Sequence, residues 1–240
     1  MCDLAARRCD NARMATLPSG TVTFVFTDIE GSTGLLKRLG ERYAELIAEH
    51  RRIVREAFGG HGGVEIDMQG DSFFFAFARA RDAATAAVEA QRAHGEQSWP
   101  DGETVRVRMG LHTGEPAVEG EGYLGVDVVR TARLCATGQG GHVLLSEATR
   151  ALIGSSLPEG VSVHALGERR LKDIDEPERV YELAIEGVDQ PEPEAAPSAE
   201  SEADWDRRAA DLSKRMSEQI SESVYRSLER SLGDIGKKRR

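Results

Sequence analysis

The sequence predicts an α+β fold: a split βαβ sandwich of the ferredoxin-like kind, followed by an amphipathic helix. Three observations carry this reading. The run Thr21–Thr27 (TVTFVFT) is β-branched and aromatic, as a buried strand should be. Val64–Gln69 and Ser72–Phe77 flank the pair Gly70-Asp71, which reads as a two-residue hairpin turn between strands. Helical patterns stand on either side of that hairpin, so the order is strand, helix, strand, strand, helix, strand.

The individual elements follow from local pattern. Ser32–Phe58 repeats Leu35, Leu36, Leu39, Tyr43, Leu46, Ile47, Ile53 and Val54 at three- and four-residue steps, predicting one long helix. Gly59, Gly60, Gly62 and Gly63 stop it. Arg81–His94 is Ala-rich and helical, and Val105–His112 alternates apolar with Arg and His as a one-faced strand. A short helix at Val126–Ala136, a strand at His142–Leu145 and a short helix at Glu147–Leu152 come next. Strands near Val161–Leu166 and Arg179–Ile185 close the body.

Composition divides the 240 residues into unequal parts. Residues 1–20 are Arg- and Ala-rich without periodicity and read as a loose leader with no apolar signal core. The body is 21–186. Residues 187–203 are Pro, Glu, Ala and Ser with little to bury, the composition of a disordered linker. In 204–240 an apolar stripe from Trp205 through Leu212, Met216, Ile220, Val224 and Leu228 to Leu232 makes an amphipathic helix. Its end, Lys237-Lys238-Arg239-Arg240, reads as a solvated basic terminus rather than a peripheral membrane contact.

A formal charge of −10 argues against a duplex nucleic-acid partner, which needs a cationic face for phosphate. The longest apolar run, Phe73–Ala78, is far too short for a membrane span. Three unevenly spaced cysteines fit free thiols in a reducing cytoplasm better than a disulfide framework.

Two carboxylates stand out. In FTDIEGST (Phe26–Thr33), Asp28 ends the first strand, and Gly31, Ser32 and Thr33 open a helix. Helix amides and dipole suit phosphate oxygens, while the acid suits the cation that accompanies them; an ordinary surface acid beside a Ser or Thr cap fits the same residues. Asp71 sits on the hairpin turn of QGDSFF (Gln69–Phe74), where a turn chosen for backbone geometry alone is the simpler account. In a split βαβ sheet, however, the first strand lies beside the hairpin. The two acids then approach each other and can share Mg²⁺, which keeps water and substrate phosphate as its other ligands.

Taken in order, FTDIEGST, QGD, RVRMGLHTGE (Arg106–Glu115), GYLGVDVVRTARL (Gly122–Leu134), GGHVLLSEAT (Gly140–Thr149) and GERRLKDIDEPERVYEL (Gly167–Leu183) resemble the class III nucleotidyl cyclase catalytic domain, the adenylate and guanylate cyclase family. QGDSFF is also similar to the hairpin of diguanylate cyclases, but the GYLG and LLSEAT segments favour the nucleotidyl cyclases. The resemblance implies conversion of ATP or GTP to the 3′,5′-cyclic nucleotide and pyrophosphate. It implies two ions, Mg²⁺ or Mn²⁺, held by Asp28, Asp71 and the Ile29 carbonyl, with the triphosphate on Gly31, Ser32 and Thr33. Arg133 matches the arginine that steadies the transition state, and Lys172 the lysine that reaches the terminal phosphates. The family's sites lie between two head-to-tail subunits, so a homodimer is implied, with Arg133 acting across the interface. Three positions depart from the family. Asp67 stands where the base-reading lysine is expected, Gly122 where its acidic partner is, and Val129 where a transition-state asparagine is. Those departures open the alternative of a pseudocyclase, a nucleotide-binding or dimerising module with little turnover.

Overall fold

The computed structural model describes residues 17–119, 122–155 and 157–191. The expected leader lies almost wholly outside them. So do most of the expected linker and the whole of the expected C-terminal amphipathic helix.

A seven-stranded sheet with order β2-β3-β1-β4-β7-β9-β8 forms the body. Its first half is β1 (Val22–Ile29), β2 (Val64–Gln69), β3 (Ser72–Phe77) and β4 (Val107–Gly114), and its second is β7 (Val143–Ser146), β8 (Val161–Arg169) and β9 (Glu178–Ile185). The segment β2-β3-β1-β4 is antiparallel throughout, the split βαβ core that the sequence predicts. β7 then adds to β4 in parallel, and β9 and β8 continue antiparallel.

Strand alternation gives the sheet two differently clothed faces. Val25, Ile29, Phe73, Phe75, Phe77, Met109 and Leu111 point one way, into the larger core. There they meet α2 (Tyr43–Gly60), α3 (Ala80–Glu96) and α5 (Glu147–Ile153), represented by Leu46, Ile53, Phe58, Ala83, Ala87 and Ile153. Phe24, Phe26, Phe74 and Ala76 point the other way, toward α4 (Val126–Ala136) and its Val128, Ala132 and Cys135. The phenylalanines of the hairpin are therefore core on both faces; Phe26 and Phe74 stack at 4.4 Å, and Phe58 meets Phe75 edge-on at 4.8 Å.

Helix α4 can lie close to β4 because Gly110 and Gly114 lack side chains. A Cβ on Gly110 would come within 2.5 Å of the Cys135 amide nitrogen, and one on Gly114 within 2.3 Å of the Asp127 carboxylate.

Four sequence expectations change. The strand expected as one-faced at Val105–His112 starts at Val107 and is buried on both faces, Arg108 and His112 included. The single helix Ser32–Phe58 is broken: α1 (Ser32–Leu39) ends at Gly40, which has φ of 53°, and a short 3₁₀ turn leads into α2. The positive φ at Gly40 stops the α-helical hydrogen-bond ladder, although the apolar spacing runs on across it. The strand expected from His142 begins at Val143. A two-stranded hairpin, β5 (Ala117–Glu119) with β6 (Gly122–Leu124), was not foreseen; each strand is three residues long, too short for alternation to register. Tyr123 of β6 packs edge-on against Phe24 at 4.9 Å and donates its hydroxyl to the Pro18 carbonyl at 2.7 Å. Among the described residues no helix is long and apolar enough to cross a membrane.

Candidate active site

Asp28 and Asp71, 43 positions apart in sequence, meet at one end of the sheet. β1 pairs with β3 up to Thr27↔Phe73, which brings the strand end beside the hairpin turn. Ser72 donates its hydroxyl to Asp28 Oδ1 at 2.8 Å, and the Ile29 amide donates to Asp71 Oδ2 at 3.2 Å. Each acid is thus held by the residue that follows the other. Both are buried, Asp28 to 1% and Asp71 to 5% exposure. Burying carboxylates without compensation is costly, so such a pair needs hydrogen bonds and positive charge around it.

Arg108 supplies that charge. It faces Asp28 directly across the β1–β4 pair, and its Nε and Nη2 donate to Asp28 Oδ2 at 3.1 and 2.7 Å. The sequence reading missed Arg108. Its signal was there, an arginine among apolar residues in a strand, but its register against Asp28 was not.

The turn after β1 leads straight into α1. Gly31 is the N-cap at φ of 64°, and neither Ser32 nor Thr33 caps the helix with its side chain. The Gly31 carbonyl accepts from the Gly34 and Leu35 amides, at 2.8 and 3.1 Å. Gly31 and Thr33 are exposed and Ser32 half-buried, so the helix start opens to solvent beside the two acids.

The two cations expected to serve the phosphates stand on α4 and in the turn between β8 and β9. Arg133, near the end of α4, donates through Nη2 to Asp173 at 2.7 Å. Asp173 follows Lys172 in the exposed turn between β8 and β9.

The departing positions share the α4 side of the sheet. Asp67 is half-buried on β2 at an irregularity in the ladder and pairs with Phe74. Gly122 starts β6, and Val129 lies one turn before Arg133 on α4.

His112 has a structural role. It is buried between Ser146 Oγ at 2.9 Å and Asp127 Oδ1 at 3.1 Å. That bond holds the Asp127 carboxyl below the usual carboxylate range. An Asp–His–Ser chain of this kind has the connectivity of a hydrolytic triad, but Ser146 is fully buried and presents no nucleophile to solvent.

Fold and site define a nucleotidyl cyclase catalytic domain. The family model of the adenylate and guanylate cyclase catalytic domain matches residues 14–184, and the chain belongs to this family. It is 40% identical over 168 residues to the uncharacterized protein Rv0891c of Mycobacterium tuberculosis, a match covering 69% of this chain and 56% of that protein. It is 29% identical to the receptor-type adenylate cyclase GRESAG 4.1 of Trypanosoma brucei brucei, over 75% of this chain and 18% of that one. The chain therefore spans about half or less of these curated relatives. Among solved structures, an adenylate cyclase of Trypanosoma brucei in its monomeric state superposes with a TM-score of 0.66 at 25% identity, covering 75% of this chain and 93% of that one. The adenylate/guanylate cyclase/hydrolase of Silicibacter pomeroyi gives 0.60 at 23% identity, covering 69% and 97%, and shows the fold.

Proposed function

We propose that this chain is a metal-dependent nucleotidyl cyclase acting on ATP or GTP as a head-to-tail homodimer. The observation that carries the reading is the reciprocal hydrogen bonding of Asp28 and Asp71 beside the open start of α1. The residues present suit a hard divalent cation. The donors are carboxylate and carbonyl oxygens without sulfur or imidazole. Among the described residues no group of three or more His, Cys, Asp or Glu side chains is gathered to hold a metal. Two carboxylates, the Ile29 carbonyl and substrate phosphate fit Mg²⁺ or Mn²⁺, which take a sparse protein ligand set. When bound, such ions neutralise the triphosphate and ease loss of the proton from the ribose 3′-hydroxyl.

The chain's own residues do the rest by position and charge. Asp28 and Asp71 orient the reacting end, and the Gly31–Thr33 turn receives phosphate oxygens on its amides. Arg133 and Lys172, contributed by the partner, stabilise the charge that develops as the 3′-oxygen bonds to the α-phosphorus. The bond from that phosphorus to pyrophosphate breaks, and pyrophosphate leaves with the electron pair. For this, Arg133 must leave Asp173, to which it is paired in the single subunit.

A second reading rests on Val129. Its side chain offers no hydrogen bond at a position on α4 one turn from Arg133, and losing one preorganised donor costs about 10²- to 10³-fold in rate. A pseudocyclase that binds nucleotide and turns it over little fits that feature, together with Asp67 and Gly122. Pyrophosphate release from ATP and GTP with Mg²⁺ or Mn²⁺, measured for the purified chain and for Asp28→Ala and Asp71→Ala, separates the readings. Turnover abolished by both substitutions supports the cyclase. Nucleotide binding without turnover supports the pseudocyclase, and turnover that survives both alanines removes the metal assignment.

A further inference from the structure

Gly110, His112 and Gly114 share the side of β4 that faces α4. The two glycines are seats for the helix, Gly114 under Asp127 and Gly110 under Cys135. The spacings agree. Four strand residues rise about 13 Å, and the eight helix residues from Asp127 to Cys135 rise about 12 Å, so α4 runs along β4 in the opposite direction. His112 stands between the two seats. Its Nε2 donates to Asp127 Oδ1 at 3.1 Å, because an ionised carboxylate only accepts.

The ring is itself held from behind. Its Nδ1 lies 2.9 Å from Ser146 Oγ of β7, and Ser146 Oγ lies 3.1 Å from Thr149 Oγ1 of α5. The chain of polar groups continues from Thr149 to Thr113 at 3.0 Å and from Thr113 to Thr23 of β1 at 2.9 Å. His112 is 6% exposed, and Ser146 and Thr149 are fully buried. Asp127, in the first turn of α4, is where this interior chain takes hold of the helix. Glycine seats let a helix come close but raise no side chain to stop it sliding along its axis, whereas a hydrogen bond is directional and does. A second tie, from Arg130 Nη1 to Glu178 Oε2 of β9 at 2.5 Å, lies further along α4. Nothing in the proposed chemistry uses His112 or Asp127 directly.

We propose that His112 and Asp127 are positioning residues that fix α4 along its axis and thereby place Arg133 for the partner's site. The inference rests on reading Arg133 as the cation that serves the transition state across the dimer. Arg133 lies six residues beyond Asp127 on the same helix. A slide by one residue's rise, about 1.5 Å, breaks the tie and carries Arg133 with it. A misplacement of about 1 Å can cost about 10²-fold in rate. The two acids stand on β1 and the hairpin turn, which α4 does not carry. Loss of the tie in one subunit is therefore felt at the site whose acids belong to the other subunit.

Pyrophosphate release by the full chain with Mn²⁺ and ATP or GTP tests this in Asp127→Ala, His112→Leu and His112→Gln. In Asp127→Ala and His112→Leu kcat should fall about 10²-fold with KM little moved. His112→Gln should stay near wild type, since its amide N–H can stand near the position of the imidazole Nε2. Unchanged kcat in Asp127→Ala, or an equal loss in Leu and Gln, overturns the positioning role. Mixing separates that role from a general weakening of the sheet. Asp127→Ala co-refolded with Asp71→Ala should recover activity, because one site of each mixed dimer takes its acids from the first chain and α4 from the second. Co-refolded with Arg133→Ala it should recover none, because both lesions then lie on the α4 side. Recovery in both mixtures or in neither overturns the proposal, provided that Asp71→Ala and Arg133→Ala recover each other; if those two do not, the shared-site reading beneath it is what fails. Amide hydrogen exchange reads the tie without turnover: Asp127→Ala should speed exchange in α4 and leave β1 and β4 unmoved, and no change in α4, or equal change throughout the sheet, overturns it.

Discussion

Asp28 and Asp71 each accept a hydrogen bond from the residue that follows the other, Asp28 from Ser72 and Asp71 from Ile29. This crossed arrangement means that neither acid can shift without pulling on the strand or turn that carries its neighbour. It also concentrates negative charge in a buried corner, and Arg108 is the group that answers it.

The first prediction concerns that answer. Arg108 is itself buried at 7% exposure, so its pair with Asp28 is an interior one. Removing one partner of such a pair leaves an uncompensated charge and costs about 3–5 kcal/mol. Arg108→Met should lower stability in chelator-treated protein by that order, and Mn²⁺ should recover part of the loss by taking over the compensation. Urea unfolding with and without the ion measures it; a loss that Mn²⁺ does not touch would separate Arg108 from the metal site.

Gly110→Ala should be poorly tolerated. The added methyl meets the Cys135 backbone at 2.5 and 2.7 Å, and backbone in a helix cannot swing aside as a side-chain end can. Overpacking of this kind costs about 1–3 kcal/mol, and the upper end is expected because all of α4 must move. Denaturant midpoints measure the loss, and unchanged stability would mean that α4 does not pack as closely as described.

Shared sites make a prediction by mixing. Asp71→Ala and Arg133→Ala homodimers should each be inactive under the proposed function. Co-refolded at equal amounts, they should regain roughly a quarter of wild-type activity, because half the dimers are mixed and each mixed dimer keeps one intact site. Pyrophosphate release measures this, and no recovery would argue against sites built from two subunits.

Acid should destabilise the protein through the buried histidines. Burial pushes His50 from 6.5 down to about 3, with His94, Asp28 and Arg51 the charged and titratable groups facing it. Burial likewise pushes His94 down to about 4, with Glu49 nearby. Below pH 6.5 the unfolded chain takes up protons that the folded rings refuse, so stability falls as pH drops and is unaffected by these groups above that value. Each ring costs about 1.4 kcal/mol per pH unit in this window. Unfolding free energies measured from pH 7 to 5 should show that slope, reduced by one ring's share in His50→Gln.

Asp67→Lys should change the choice between ATP and GTP. Replacing an acceptor-only carboxylate by a donor-only ammonium inverts what that position can offer a base edge. Competition between the two nucleotides in the activity assay measures it, and an unchanged ratio would place Asp67 outside the base pocket.

Much of the fold was legible in the residues because it depends on local periodicity. The β-branched and aromatic run Thr21–Thr27, the apolar run Ser72–Phe77, the Gly70-Asp71 turn and the Ala-rich helix each carry their own signal, and the split βαβ order follows from them. The order also puts β1 beside the hairpin, which makes Asp28 and Asp71 neighbours. The roles given to Asp28, Asp71, Arg133 and Lys172 came from the family resemblance and stand as proposals.

What the tertiary structure alone decided is register and close approach. Arg108 opposite Asp28, His50 beneath Asp71, and Cys135 over Gly110 join residues 80, 21 and 25 positions apart. Such contacts leave no local trace, because an arginine in a strand or a histidine in a helix looks the same whichever partner it meets. The break at Gly40 was hidden for the opposite reason: the apolar steps continue through it, while the backbone turns on a single positive φ. Periodicity reports which side of an element is buried; only packing of the whole chain fixes what it is buried against.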